Sequence, residues 1–61
     1  QANLHAALRR LPVRMLQVVL MAEFSGMAAR EIGEVLGIPE GTVASRRHQA
    51  VKRLKQWLGE H

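Results

Sequence analysis

The stretch GEVLGIPEGTV, residues 33–43, constrains the fold more than any other part of the chain. Helix-spaced apolar residues lie on both sides of it, and only Gly-Ile-Pro, residues 37–39, separates the two patterns. Two helices joined by so short a turn cross steeply, as they do in a helix-turn-helix. The stretch therefore predicts a helix-turn-helix formed by the third and fourth helices of the chain.

Six positions in or next to this stretch match steric demands of that motif. Gly33 is the small residue where the second helix crosses the first, and Gly37 accepts a positive φ angle. Ile38 fills the turn, and Val43 anchors the second helix one turn after it begins. The predicted structural positions of the motif are Ile32, Gly33, Leu36, Gly37, Ile38 and Val43. A generic helical hairpin fits this set of positions less well.

Apolar residues at spacings of three and four recur along the whole chain, which predicts an all-α, four-helix fold. The predicted helices run from about Leu4 to Arg10 with Asn3 as N-cap, from Pro12 to about Phe24, from about Ala28 to Leu36, and from Pro39 or Glu40 to about Leu58. The second is apolar on most sides, so we expect it at the centre of the domain. The side chains expected inside include Leu4, Leu8, Leu11, Ile32, Val35 and Leu36.

Composition excludes several classes of protein. With 61 residues and no Cys, the chain forms at most one small domain without disulfides or a Cys-based zinc site. His5, His48 and His61 lack metal-ligand spacing, and no catalytic arrangement of side chains is present, so we expect neither cofactor nor enzymatic activity. The lack of a signal peptide or membrane-length apolar run predicts a cytoplasmic protein. The initial Gln suggests a fragment of a longer protein.

Positive charge is concentrated in one segment of the chain. Residues 46–55 hold five basic side chains and no acid, whereas residues 23–40 hold four Glu and a single Arg. Such a block indicates a surface that faces a polyanion, although a solvated helix face produces the same pattern.

The fourth helix divides into two faces. If Val43, Ala50, Leu54 and Trp57 point inward, the outward side carries Thr42, Ser45, His48, Gln49 and Lys52. A helix-turn-helix normally lays this helix in the DNA major groove. Gly41 in its first turn lets backbone N–H groups approach a phosphate, or it serves only as a turn residue.

Three segments, LRRLPVR, AAREIGEVLGIPEGTVASR and QAVKRL, resemble region 4 of bacterial sigma factors of the extracytoplasmic-function group. The resemblance extends from about Leu8 to Leu58 and is most specific in GTVASR. It implies a domain that binds the −35 element of double-stranded promoter DNA and docks on the β flap of RNA polymerase. We expect the domain to be a monomer, because the apolar spacing of the last helix is too short for a coiled coil. It also implies that an anti-sigma factor can occlude these surfaces.

The resemblance also implies roles for single residues. Thr42 and Ser45 match positions near DNA, and Arg30 is a candidate phosphate contact. Glu31 and Arg46 match residues that we expect to pair and to lock the two helices at their angle.

Some positions depart from the family pattern. Ala44 replaces a basic residue in the DNA-binding set, and Arg47 replaces a Leu, so its aliphatic stem is expected to cover the core while its charged end reaches solvent. His48 and Gln49 occupy variable base-reading positions. Gly33 replaces Ala, which costs about 1 kcal/mol of helix propensity.

Two alternative functions remain open on sequence alone. A response-regulator DNA-binding domain also has four helices and often dimerises through the last, and the fourth helix here has four-three apolar spacing over about two heptads. A domain that chiefly docks on polymerase or an anti-sigma protein would use apolar residues of the first two helices.

Overall fold

The computed structural model describes residues 3–59, which are mostly helical and include no strand. The helices are α1 (Leu4–Arg10), α2 (Val13–Val19), a π-helical segment that continues α2 (Leu20–Phe24), α3 (Ala29–Leu36) and α4 (Glu40–Trp57). The predicted all-α fold, with a helix-turn-helix made by the third and fourth helices, is confirmed.

The start and end of α1 follow from local chemistry. The side chain of Asn3 accepts a hydrogen bond from the backbone N–H of Ala6 at 3.1 Å, so it acts as the predicted N-cap. Leu11 adopts an extended backbone (φ −68°, ψ 142°) because the proline that follows it disfavours the helical conformation. Pro12 then lies at the N-cap of α2, one residue before the predicted position.

The second helix has the predicted extent, but its last part is wider than an α-helix. The N–H of Ser25 donates to the carbonyl of Leu20 at 3.0 Å, an i→i−5 bond that is typical of a π-helix. Gly26, at a φ of 67°, then reverses the chain, and the N–H of Met27 donates to the carbonyl of Met21 at 2.9 Å. Apolar spacing did not predict this widening.

Two apolar clusters form the core, and α2 and α4 contribute to both. The first contains Ala7, Leu11, Val19, Ala50 and Leu54, and the second contains Val18, Ile32 and Val43. Neighbouring residues of α2, Val18 and Val19, thus enter different clusters. The predicted central position of the second helix is confirmed, and α4 connects the helix-turn-helix to the rest of the domain.

Two side chains that we expected inside are at the surface: Val35 is 64% exposed and Leu4 is 47% exposed. The reason for Val35 lies in the crossing of α3 and α4. That crossing passes Gly33, so the buried stripe of α3 is centred on Ile32 and Gly33, and Val35 falls outside it. In α1, Ala7 occupies the buried position one turn before Leu11 instead of Leu4.

The turn between α3 and α4 depends on one close backbone approach. A Cβ atom on Gly33 would lie 2.7 Å from the carbonyl oxygen of Ile38, which is far inside normal contact distance. The carbonyl of Gly33 also accepts the N–H groups of Gly37 and Ile38, the latter at 3.0 Å. Gly37 supplies the left-handed conformation that this helix end requires, with φ at 71°.

We predict that Gly33→Ala destabilises the domain by about 1 kcal/mol or more, because overpacking outweighs the gain in helix propensity. Chemical denaturation monitored by circular dichroism measures this change.

Gly41→Ala is the matched control, since a Cβ there meets nothing within 4 Å. This control should be neutral or stabilising by up to about 1 kcal/mol. A Gly33→Ala variant as stable as the Gly41→Ala variant would contradict the close approach.

Candidate nucleic-acid interface

The fourth helix presents a polar face directly opposite its buried face. Val43, Ala50 and Leu54 are 1%, 0% and 9% exposed, and Trp57 is partly buried. On the other side, Ser45, His48, Gln49 and Lys52 are exposed and Thr42 is half-buried. These polar side chains make no hydrogen bond or ion pair with other residues of the 3–59 range, so they are available to a partner.

The amino end of α4 is open. Pro39 offers no side-chain cap, and its carbonyl accepts the N–H groups of Thr42 and Val43 at 3.0 and 3.2 Å. The N–H groups of Glu40 and Gly41 precede the first possible intrahelical bond. Gly41 is exposed and has no side chain to shield them. The helix start therefore has the geometry that suits an anionic oxygen.

The expected ion pair between Glu31 and Arg46 is wrong. A carboxylate oxygen of Glu31 accepts the backbone N–H of Ala28 at 2.9 Å, which caps α3 from within. Glu31 makes this contact rather than one with Arg46 because the N–H of Ala28 is only three residues away. Ala28 and Met27 also provide no side-chain cap of their own.

Arg46 forms no ion pair with Glu31 and lies among other neighbours. It is half-buried and lines a groove together with Arg14, Gln17, Leu36 and Ile38. The sequence gives no signal that Arg14 and Arg46 lie near each other, since no periodicity links α2 to α4. The structure brings these two arginines to one groove beside the turn.

Arg47 reaches a partner that was not predicted from the sequence. Its guanidinium contacts the carboxylate of Glu23, and this is the single ion pair among residues 3–59. The two residues are 24 positions apart, so helix spacing gives no signal of the contact. The Arg47 side chain is 50% exposed, so it reaches solvent as expected, and it also pairs with Glu23.

Trp57 packs as a cap on the first cluster. The guanidinium carbon of Arg10 lies 4.3 Å from the centre of the indole ring, within the range of a cation–π contact. Trp57 thus links the ends of α1 and α4.

Among residues 3–59, no three His, Asp or Glu side chains converge as a metal site would require, and His61 lies outside this range. None of the helices described combines the length and the apolar character needed to cross a membrane.

Fold and surface together define a helix-turn-helix domain of the DNA-binding class. The family model described as "Sigma-70, region 4" matches residues 1–54, and the chain belongs to this family. The resemblance inferred from the sequence motifs is confirmed.

Curated relatives are sigma factors of the extracytoplasmic-function group. The ECF RNA polymerase sigma factor SigE of Mycolicibacterium smegmatis is 38% identical over 60 residues, which cover 98% of this chain and 23% of the relative. The ECF RNA polymerase sigma factor SigM of Mycobacterium tuberculosis is 40% identical over 53 residues, which cover 87% of this chain and 27% of the relative. The chain thus spans about a quarter of the length of these relatives.

We predict that Glu31→Ala destabilises the domain by about 0.5–1 kcal/mol, because the N–H of Ala28 loses its acceptor. The effects of Glu31→Ala and Arg46→Ala on the free energy of unfolding should be additive, since the two side chains do not pair. Thermal unfolding of the two single variants and the double variant measures the coupling. A coupling energy above about 0.5 kcal/mol would show that Glu31 and Arg46 do interact and would contradict the geometry.

Proposed function

We propose that this domain is the promoter-reading part of a longer extracytoplasmic-function sigma factor, which acts in the cytoplasm. It recognises the −35 element by laying α4 in the major groove. The observation that carries the proposal is the exposed polar face of α4, held away from two apolar clusters by a three-residue turn.

Base recognition falls to the middle of the exposed face. Ser45, His48 and Gln49 project from one side of α4 over little more than one helical turn. Gln49 can form two hydrogen bonds with an adenine, and hydroxyl and imidazole groups bond to base edges with less selectivity. These three side chains are therefore the proposed source of sequence preference.

Phosphate contacts surround this central set. Exposed Arg30 at the start of α3 and exposed Lys52 on α4 supply charge, and the open helix start at Gly41 supplies N–H donors. Half-buried Thr42 offers a hydroxyl. Ala44, in the same DNA-facing set, is exposed but contributes only a methyl group. Arg46, joined by Arg14 at their shared groove, extends the basic surface beyond α4.

We predict that affinity for a duplex selected from a random DNA pool falls steeply with salt. With about four to six phosphates neutralised, the slope of log affinity against log salt should lie near −4 to −5. Lys52→Ala should weaken all duplexes alike, whereas Gln49→Ala should change the preference between sequences. Fluorescence anisotropy with selected and scrambled duplexes separates the two effects.

A salt-independent affinity would argue against DNA as the ligand. Identical effects of the two substitutions would show that the roles of Lys52 and Gln49 are assigned wrongly.

Dimerisation through the last helix, as in response regulators, has little support. Three of the four apolar residues at the relevant spacing, Val43, Ala50 and Leu54, are already buried inside the domain. The described part of α4 therefore has no exposed apolar stripe through which two copies could pair.

We predict that the domain sediments as a monomer close to its mass of 6.8 kDa. A stable dimer at micromolar concentration would instead favour the response-regulator type of domain.

A protein-docking role accompanies DNA binding in this proposal. A groove of about 190 Å³ between α1 and α2 is almost wholly apolar and is lined by His5, Leu8, Arg9, Leu16 and Leu20. This groove is lined by the first two helices, whereas the proposed base-reading residues lie on α4. We propose it as the surface for the β flap of RNA polymerase, and an anti-sigma factor would compete there.

A further inference from the structure

Glu23 and Arg47 form a close and directional contact across the domain. Nε of Arg47 lies 2.6 Å from Oε2 of Glu23, and one terminal guanidinium nitrogen lies 2.5 Å from the same oxygen. The two side chains are 50% and 42% exposed for Arg47 and Glu23 respectively, so the pair sits at the surface rather than in the core. Glu23 belongs to the π-helical segment, and Arg47 belongs to the middle of α4.

The pair lies at the edge of the proposed DNA-facing surface. It lines a groove that also includes Ala29 at the start of α3 and Ala44 on α4. Ala29 is adjacent to Arg30, and Ala44 lies three residues before Arg47 on the same flank of the helix. An arginine side chain at this position, if free, is long enough to extend along that flank towards a phosphate.

We propose that Glu23 lowers the affinity of the domain for DNA by holding Arg47 away from the phosphate backbone. This inference rests on the proposed function. Ala44 contributes no charge where the family pattern has a basic residue, and Glu23 cancels the charge of Arg47, the nearest arginine on that flank. One phosphate contact that the sequence could supply is therefore withheld.

Withholding a phosphate contact affects all sequences equally. Contacts to phosphates position a protein on the duplex but carry no direct sequence information. Glu23 therefore reduces binding to any duplex, and the preference between sequences, set by residues such as Gln49, is left unchanged. The domain therefore spends less time on specific and non-specific duplexes alike, and the ratio between them stays the same.

The test is the salt dependence of DNA binding by the Glu23→Ala variant. Release of Arg47 should steepen the slope of log affinity against log salt by about 0.9. The ratio of affinities at about 50 and about 200 mM salt should grow about 3.5-fold. The increase in slope should be equal for selected and scrambled duplexes. Circular dichroism of each variant establishes that the fold is retained.

Three control variants separate release of Arg47 from simple removal of a negative charge. Arg47→Ala and the double variant Glu23→Ala/Arg47→Ala should both keep the slope of the unaltered domain. Glu34→Ala removes an equal charge from an exposed helix position that has no ion pair within residues 3–59, and it should also leave the slope unchanged.

An unchanged or shallower slope in Glu23→Ala would overturn the inference. So would a steeper slope that persists in the double variant or appears in Glu34→Ala. Failure of the unaltered domain to bind any duplex would instead refute the proposed function, so the two failures are distinguishable.

Discussion

The approach of the Ile38 carbonyl to Gly33 is the contact on which the rest of this structure depends. The turn can pass this close only because Gly33 has no side chain, and the 2.7 Å distance to a hypothetical Cβ shows how little space remains. The same glycine accepts the N–H of Ile38 and so ends α3. This one position sets both where the first helix stops and how the second helix leaves it. Val43 can then be buried while Ser45 stays exposed.

Helix α4, which carries the proposed DNA-facing residues, is also a principal structural element of the domain. It supplies Val43 to one apolar cluster and Ala50 and Leu54 to the other, and Trp57 packs against Arg10 at its far end. A domain of 61 residues has little apolar surface to bury and little stability to spare. Because α4 both forms the core and carries the exposed polar face, its outward side chains have a rigid support. Such support positions a binding surface precisely.

The helix-turn-helix was predictable because its requirements are local and steric. Gly33 meets the demand for a small residue, Gly37 the demand for a positive φ and Val43 the demand for an apolar anchor, and their spacing fixes the turn. The inside and outside of α4 follow from helical periodicity in the same way. Val35 was predicted wrongly because its exposure depends on the direction from which α4 crosses α3, which periodicity within α3 does not contain.

The polar contacts were less predictable than the apolar core. Glu31 had two potential partners, and the nearby N–H of Ala28 prevailed over the expected Arg46. The Glu23–Arg47 pair joins segments 24 residues apart, and it depends on how the widened end of the second helix meets α4. Neither the widening nor that contact leaves a periodic signal in the sequence.

In the proposed function, the exposed face of α4 enters DNA while the groove between α1 and α2 stays free for protein. Backbone amide chemical shifts of the isotope-labelled domain, recorded by NMR during titration with its selected duplex, distinguish these two surfaces. We expect large changes at Gly41, Ser45 and Gln49, with little change at Leu8 and Leu16. Changes concentrated at Leu8 and Leu16, with the amides of α4 unaffected, would contradict it.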